Sequence, residues 1–189
     1  MENLGPVLVI LAIILLILVV WFIAGYNTLQ SLKIKINEAE SGIDVALTKR
    51  YDLLTKMIEV VKGYAKHEKE TLEEVIKLRN AIHDVDKSTF EQKQEYAKQM
   101  DQAFKTINVI VEQYPELKAS ENFKQLQLAI IDCEEHLQAA RRVYNANVSE
   151  YNHKVQLFPS NIIAGVFKFK MREFFESEEY KRKDVEIKF

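Results

Sequence analysis

LGPVLVILAIILLILVVWFIA, running from Leu4 to Ala24, contains no charged or strongly polar side chain. At 1.5 Å per residue a helix over this run extends roughly 31 Å, the thickness of a bilayer's hydrocarbon core, so the stretch predicts a transmembrane helix. Gly5-Pro6 suits a first helical turn, where proline's missing N–H has no partner to lose. Trp21, Phe22 and Tyr26 cluster at the opposite end, as amphipathic rings do at the headgroup level. A cleaved signal peptide would require a basic start, a shorter apolar stretch and a small-residue cleavage site. Met1-Glu2-Asn3 and Gly25-Tyr26-Asn27 supply none of these, so residues 1–25 are expected to stay as a membrane anchor.

Lys33 and Lys35 follow the apolar run and no Lys or Arg precedes it, which places the N-terminus outside and the remaining domain in the cytoplasm of a single-pass cell-membrane protein. Glu38 and Glu40 weaken the asymmetry. The whole chain has 189 residues, 48% hydrophobic and 29% charged, enough for one domain with a real core. A net charge of −2 without a long basic face argues against a nucleic-acid partner. Cys133 is the sole cysteine, so an intrachain disulfide and a cysteine-based zinc cluster are excluded.

Beyond the anchor, Gly42, Gly63 and Pro115 are the only strong breakers before Phe158, and long helices follow from that scarcity. Leu29, Leu32, Ile36, Ala39, Ile43 and Ala46, then Leu53, Met57, Val60 and Tyr64, recur at steps of three and four, a coiled-coil or bundle seam with a gap at Arg50. Leu47, Leu54 and Val61 widen it for more than one neighbour. Similar stripes run through Leu72 and Val75, through Met100, Phe104 and Ile107, and from Phe123 through Cys133, Tyr144 and Tyr151 to Phe158. Ser88 or Thr89 can cap the third helix, Pro115 stops it, and Ser120 can cap the last. The expected fold is all-α: a transmembrane helix leading into an antiparallel, elongated four-helix bundle over residues 26–158, with helices near 26–66, 68–86, 89–114 and 121–158. Gly25 is the candidate swivel between anchor and bundle. Residues 159–189 form a short aromatic and basic tail, partly extended: Phe167 to Met171 alternates with the period of a strand, as do Val185, Ile187 and Phe189.

These blocks together resemble the LemA family. The resemblance is carried by Tyr26-Asn27, Ile43-Asp44-Val45, Lys49-Arg50-Tyr51-Asp52-Leu53 and the run from Glu59 to Glu74. It continues through Tyr114 to Phe123, Ala140-Arg141-Arg142-Val143-Tyr144-Asn145, Tyr151-Asn152 and Phe158-Pro159-Ser160-Asn161-Ile162-Ile163-Ala164, nearly the whole chain. It implies a single-pass bacterial or archaeal membrane protein with a helical soluble domain and no established biochemical activity. A relative among magnetosome proteins implies a part in shaping or organising membranes. The chain departs from the family's pattern at Thr55-Lys56, in place of a proline-asparagine pair, at Glu40, in place of Trp, and at Lys168, in place of a glycine.

Residues that could carry chemistry form no recognisable site. His67-Glu68 opens like a zincin motif, but Thr71 stands where the second histidine belongs. Glu150 and His153 have the spacing of a di-iron half-site without a second copy. His67, His83, His136 and His153 lie on separate segments, and no glycine-rich phosphate loop occurs. Cys133 falls on an inward seam beside Glu134 and Glu135, where it packs as a small hydrophobe. No enzyme activity and no cofactor or metal is therefore expected.

The informative polar set is Arg50 at a seam position with Asp44 and Asp52 nearby. On the last helix, Arg141 and Arg142 precede Tyr144-Asn145 and Tyr151-Asn152, two pairs one heptad apart. An inward Arg50 needs a partner, since an unpaired buried charge is costly, so this set either fixes helix register or binds a partner; otherwise Arg50 reaches past the seam to solvent. In the tail, Ile162, Ile163, Phe167, Phe169, Phe174 and Phe175 interleave with Lys168, Lys170 and Arg172 and suit contact with lipid or with a neighbouring subunit. The expected function is a non-enzymatic scaffold that forms a homo-oligomer and organises membrane lipid or recruits membrane proteins. The alternative is a signalling or quality-control adaptor acting with a membrane protease or sensor.

Overall fold

A computed structural model describes residues 4–65, 68–82 and 85–175. Every regular element among them is helical: α1 (Leu4–Tyr64), α2 (Lys69–Ala81), a 3-10 turn (Val85–Lys87), α3 (Phe90–Glu112), α4 (Pro115–Ala119), α5 (Glu121–Gln156) and α6 (Ser160–Val166). The chain is all-α with one long apolar N-terminal helix, and among the described residues that helix alone is long and apolar enough to cross a membrane. His67, His83 and the alternating Val185, Ile187 and Phe189 lie outside the described residues.

The contacts divide the chain into two compact units. The first comprises the chain up to Glu38 together with Tyr144–Phe174, and the second comprises Ala39–Val143 together with the chain from Phe175. Helices α1 and α5 contribute to both.

In the first unit, every side chain from Val7 to Trp21 is exposed, and burial begins at Leu29. Leu29, Leu32 and Ile36 of α1, Tyr144 and Val148 of α5, and Ile163 of α6 form its core. Removing such a side chain from water contributes about 2 kcal/mol apiece. The expected swivel at Gly25 is not formed, because α1 runs through it without interruption. Glycine costs a helix about 1 kcal/mol relative to alanine, so a specific contact must favour it here. That contact is Ile163: a Cβ at residue 25 would collide with its Cδ1.

In the second unit, the seam of α1 drifts. Ile43 and Ala46 are buried as the heptad requires, but Val60 is half-buried and Tyr64 exposed, while Leu54, Ile58, Val61 and Ala65 take over the inward face. A straight helix with 3.6 residues per turn slips by about 20° per heptad against a 3.5 repeat, which moves the buried stripe sideways. Helix α2 packs on α3. Thr89 caps α3 through a reciprocal capping box with Gln92, in which the Gln92 N–H donates to the hydroxyl and the Thr89 N–H donates to the Gln92 side chain at 2.8 Å. Pro115 does more than stop α3: with Tyr114 as N-cap it opens α4, at the position where its missing N–H is harmless.

The tail also differs from the sequence expectation. Ser160–Val166 is a helix, and the strand suggested by Phe167 to Met171 is not formed. Lys168 has φ = 56°, and behind it the Lys168 N–H donates to Gly165 O at 3.2 Å and the Phe169 N–H to Ala164 O at 2.9 Å. These are the two bonds of a Schellman cap, whose left-handed residue is ordinarily glycine. Phe158 closes the apolar stripe of the last helix in sequence, yet α5 ends at Gln156 and Phe158 is 79% exposed.

Candidate functional site

In the first unit, the site forms where the apolar run of α1 ends. Tyr26 stacks obliquely on Phe167 with ring centroids 4.5 Å apart and lies 5.9 Å from Phe169, and Phe22 stands 5.6 Å from Phe167. With Ile163 seated on Gly25, α6 and the segment after it are fixed beside the end of the apolar run. Ile163 is buried, whereas Ile162, Phe167 and Phe174 are about half exposed.

Asn152 holds the segment that follows α6. Its side chain is 4% exposed; Nδ2 donates to Arg172 O at 2.9 Å, and the Arg172 N–H donates to Oδ1 at 2.9 Å. This is the pairing a neighbouring strand would offer, supplied by one amide, and it replaces the ladder that period-two patterning suggested. Tyr144 extends the clasp by donating its hydroxyl to Glu173 O at 3.1 Å, and Arg172 Nη2 donates to Asn37 Oδ1 at 2.8 Å. Asn147 donates to Lys35 O at 3.1 Å. Tyr151 is buried in the same unit, and burial pushes its phenol up, with nearby Arg172 pulling the other way. Asn145 is half-buried in this unit.

The second unit contains two buried ionic groups. Arg50 is 5% exposed and pairs with Asp101 and, at 3.0 Å, with Glu134, while its guanidinium lies 5.3 Å from the centre of the Phe104 ring. Its partners therefore come from α3 and α5, and neither Asp44 nor Asp52 is among them. Asp52 is exposed. Asp44 instead joins Glu40 around Lys93, whose ammonium is 2.8 Å from Asp44 Oδ2 and 3.1 Å from Glu40 Oε1. Burial alone pulls the Lys93 pKa down, but the hydrogen bonds and charges of the two carboxylates outweigh it and hold the value above the ordinary lysine range. Arg141 lies 4.9 Å over the ring of Phe175, which also meets Phe90 edge-on at 5.6 Å, and Arg142 is exposed.

Lys93, Asp101 and Glu134 were missed by sequence reasoning. Of the three, Lys93 is the one most legible in the sequence, since it sits one helical step before Ala97 on the apolar stripe of α3. Cys133 is buried and its thiol donates to Ala46 O at 3.5 Å; burial pushes its pKa up, which opposes the thiolate a nucleophile requires. Among the described residues no three His, Cys, Asp or Glu side chains are grouped so that they could hold a metal ion.

An all-helical chain with an exposed apolar helix at one end, buried cations paired with carboxylates, and a clasped aromatic segment defines a class of helical protein with a membrane-length apolar helix. Within that class the chain belongs to the LemA family, whose model matches residues 39–189. Protein LemA of Metamycoplasma hominis is 32% identical over 167 residues, covering 87% of this chain and 75% of that protein. Magnetosome protein MamQ 2 of Paramagnetospirillum magneticum is 29% identical over 72 residues, covering 38% of this chain and 26% of its own length. Magnetosome protein MamQ of Magnetospirillum gryphiswaldense is 28% identical over a stretch of the same length.

Proposed function

We propose that the chain is a membrane-anchored, non-enzymatic helical scaffold, which self-associates and organises membrane or recruits partner proteins. The observation that carries this is α1. One uninterrupted helix contains both an exposed apolar run of bilayer length and the buried seam from Leu29 to Val61, so the anchor is built into the structural helix. The soluble helices are read as an antiparallel four-helix bundle on the cytoplasmic side, with the N-terminus outside. Support for self-association comes from Leu128 and Ile131, exposed three residues apart on one face of α5. The similarity to magnetosome proteins supports a role at a membrane, and the half-exposed Ile162, Phe167 and Phe174 support tail contact with lipid or a neighbouring subunit.

The test is light scattering and electron microscopy of the full-length protein in detergent. A uniform oligomer that dissociates in the Leu128→Lys, Ile131→Lys double variant is expected. Wild-type protein that is monomeric throughout overturns the scaffold.

A further inference from the structure

The first unit contains a groove of about 960 Å³ between α1 and the C-terminal part of α5 with α6. Trp21, Leu157 and Ile163 are among its apolar lining residues, and Glu150, His153 and Lys154 among its polar ones. Resting on the reading of Leu4–Ala24 as membrane-spanning, we infer that this groove binds a single phospholipid with an ammonium-bearing headgroup, of the phosphatidylethanolamine class.

Three observations carry the assignment. The first is depth. Ala24 ends the apolar run, and Thr28, also in the groove wall, lies four residues on, about 6 Å further along the helix. The headgroup layer outside each face of the hydrocarbon core is roughly 5 to 8 Å thick, so the polar half of the groove falls within it and the apolar half at the level of the first acyl carbons.

The second is the order of charge. Ile163 meets Gly25, near the apolar run, while Asn147 meets Lys35, well beyond it, so moving along α5 from residue 147 toward 157 approaches the membrane end. Lys154 therefore stands one helical turn nearer the bilayer than Glu150. A zwitterionic phospholipid presents its charges in the complementary order, with the phosphodiester deeper and the ammonium further out.

The third is availability. Lys154, His153 and Glu150 are exposed, and among the described residues none of their side chains forms an ion pair or hydrogen bond. Lys154 and the His153 imidazole can donate to the phosphodiester, and the Glu150 carboxylate can accept from the ammonium. A volume near 960 Å³ accommodates a headgroup and the start of one chain.

The test is native mass spectrometry of the full-length protein released from nanodiscs of equal parts palmitoyl-oleoyl phosphatidylethanolamine, phosphatidylglycerol and phosphatidylcholine. Wild type is expected to retain one phosphatidylethanolamine per chain, in about fivefold preference over either other lipid. The charge swap Glu150→Lys, Lys154→Glu preserves net charge and residue types but reverses their order, and should retain about a fifth as much. Ser149 also lines the groove, so Ser149→Phe fills it without touching a charge and should lose the lipid too. Equal retention of the three lipids, or unchanged retention in the swap and in Ser149→Phe, overturns the site. The same spectra give the subunit number, so a monomer that keeps its lipid overturns self-association alone, and an oligomer that keeps none overturns the groove alone. Extraction of the protein from membranes by alkaline carbonate overturns the anchor and the groove together.

Discussion

Asn152 and Arg172 exchange two hydrogen bonds, both at 2.9 Å, between one buried side-chain amide and the main chain of the tail. A strand partner would pair one residue in the same way, but here a helix supplies the partner. Asn152→Ala removes both bonds and leaves the Arg172 peptide groups to find water, at a cost of about 2 kcal/mol. Asn152→Asp keeps the acceptor and loses the donor, and should fall between the two. Hydrogen exchange at the Arg172 amide, measured with denaturant unfolding, checks both: faster exchange in Asn152→Ala is expected.

Lys168 holds a left-handed conformation at the end of α6. A side chain there costs about 1 kcal/mol more than glycine, because Cβ crowds the carbonyl. Lys168→Gly is therefore expected to raise stability by about that amount in denaturant melts, while Lys168→Val lowers it.

Gly25 and Ile163 are coupled by contact. Alanine improves helix propensity by about 1 kcal/mol over glycine, but its Cβ meets Ile163 Cδ1, and overpacking costs about 1 to 3 kcal/mol. Gly25→Ala alone should be neutral to destabilising. In an Ile163→Val background, which removes Cδ1, the same substitution should become stabilising, and a double-mutant cycle of thermal midpoints reads the change of sign.

Arg50 is enclosed by Asp101 and Glu134. Arg50→Leu leaves Asp101, which is 15% exposed, without its countercharge and should cost about 3 kcal/mol. Adding Asp101→Leu should recover most of that loss. A single variant as stable as wild type would remove the idea that this cluster fixes how the helices of the second unit pack.

Lys93 gives a dependence at alkaline pH. Its folded pKa lies above the ordinary value of 10.5, so the stabilisation is complete below pH 10.5 and is lost as pH rises through the folded value. Cys133 and Tyr151 are raised by burial and act in the same direction. The thermal midpoint should decline at alkaline pH, and Lys93→Met should be less stable at pH 8 while showing a shallower decline above pH 10.5.

The apolar N-terminal helix, the long helices and the α1 seam from Leu29 to Met57 were legible because each depends on local spacing: Leu29, Ile36, Ile43 and Met57 are all buried. Pairings across the chain were not. Arg50 shows by its position that it needs an anion, but nothing in the sequence distinguishes Asp44, Asp52, Asp101 and Glu134, since the choice depends on which helix faces which. The tail failed for a related reason. Its alternating residues read as a strand, yet its backbone partners are the side chains of Asn152 and Tyr144, and periodicity carries no information about such partners. Lys168 concealed the end of α6 by standing where glycine would have announced it.

Because α1 passes through Gly25 without a break, the sequence between Trp21 and Leu29 sets a phase as well as a distance. One residue inserted after Tyr26 would turn everything before it by about 100° relative to the seam that begins at Leu29. Gly25 would then turn away from Ile163, and Phe22 and Tyr26 away from Phe167. Seven inserted residues would bring the same faces back to within about 20° but shift them along the axis by roughly 10 Å. The junction thus tolerates neither change, and insertions and deletions should be rarer there than in any exposed loop of the chain.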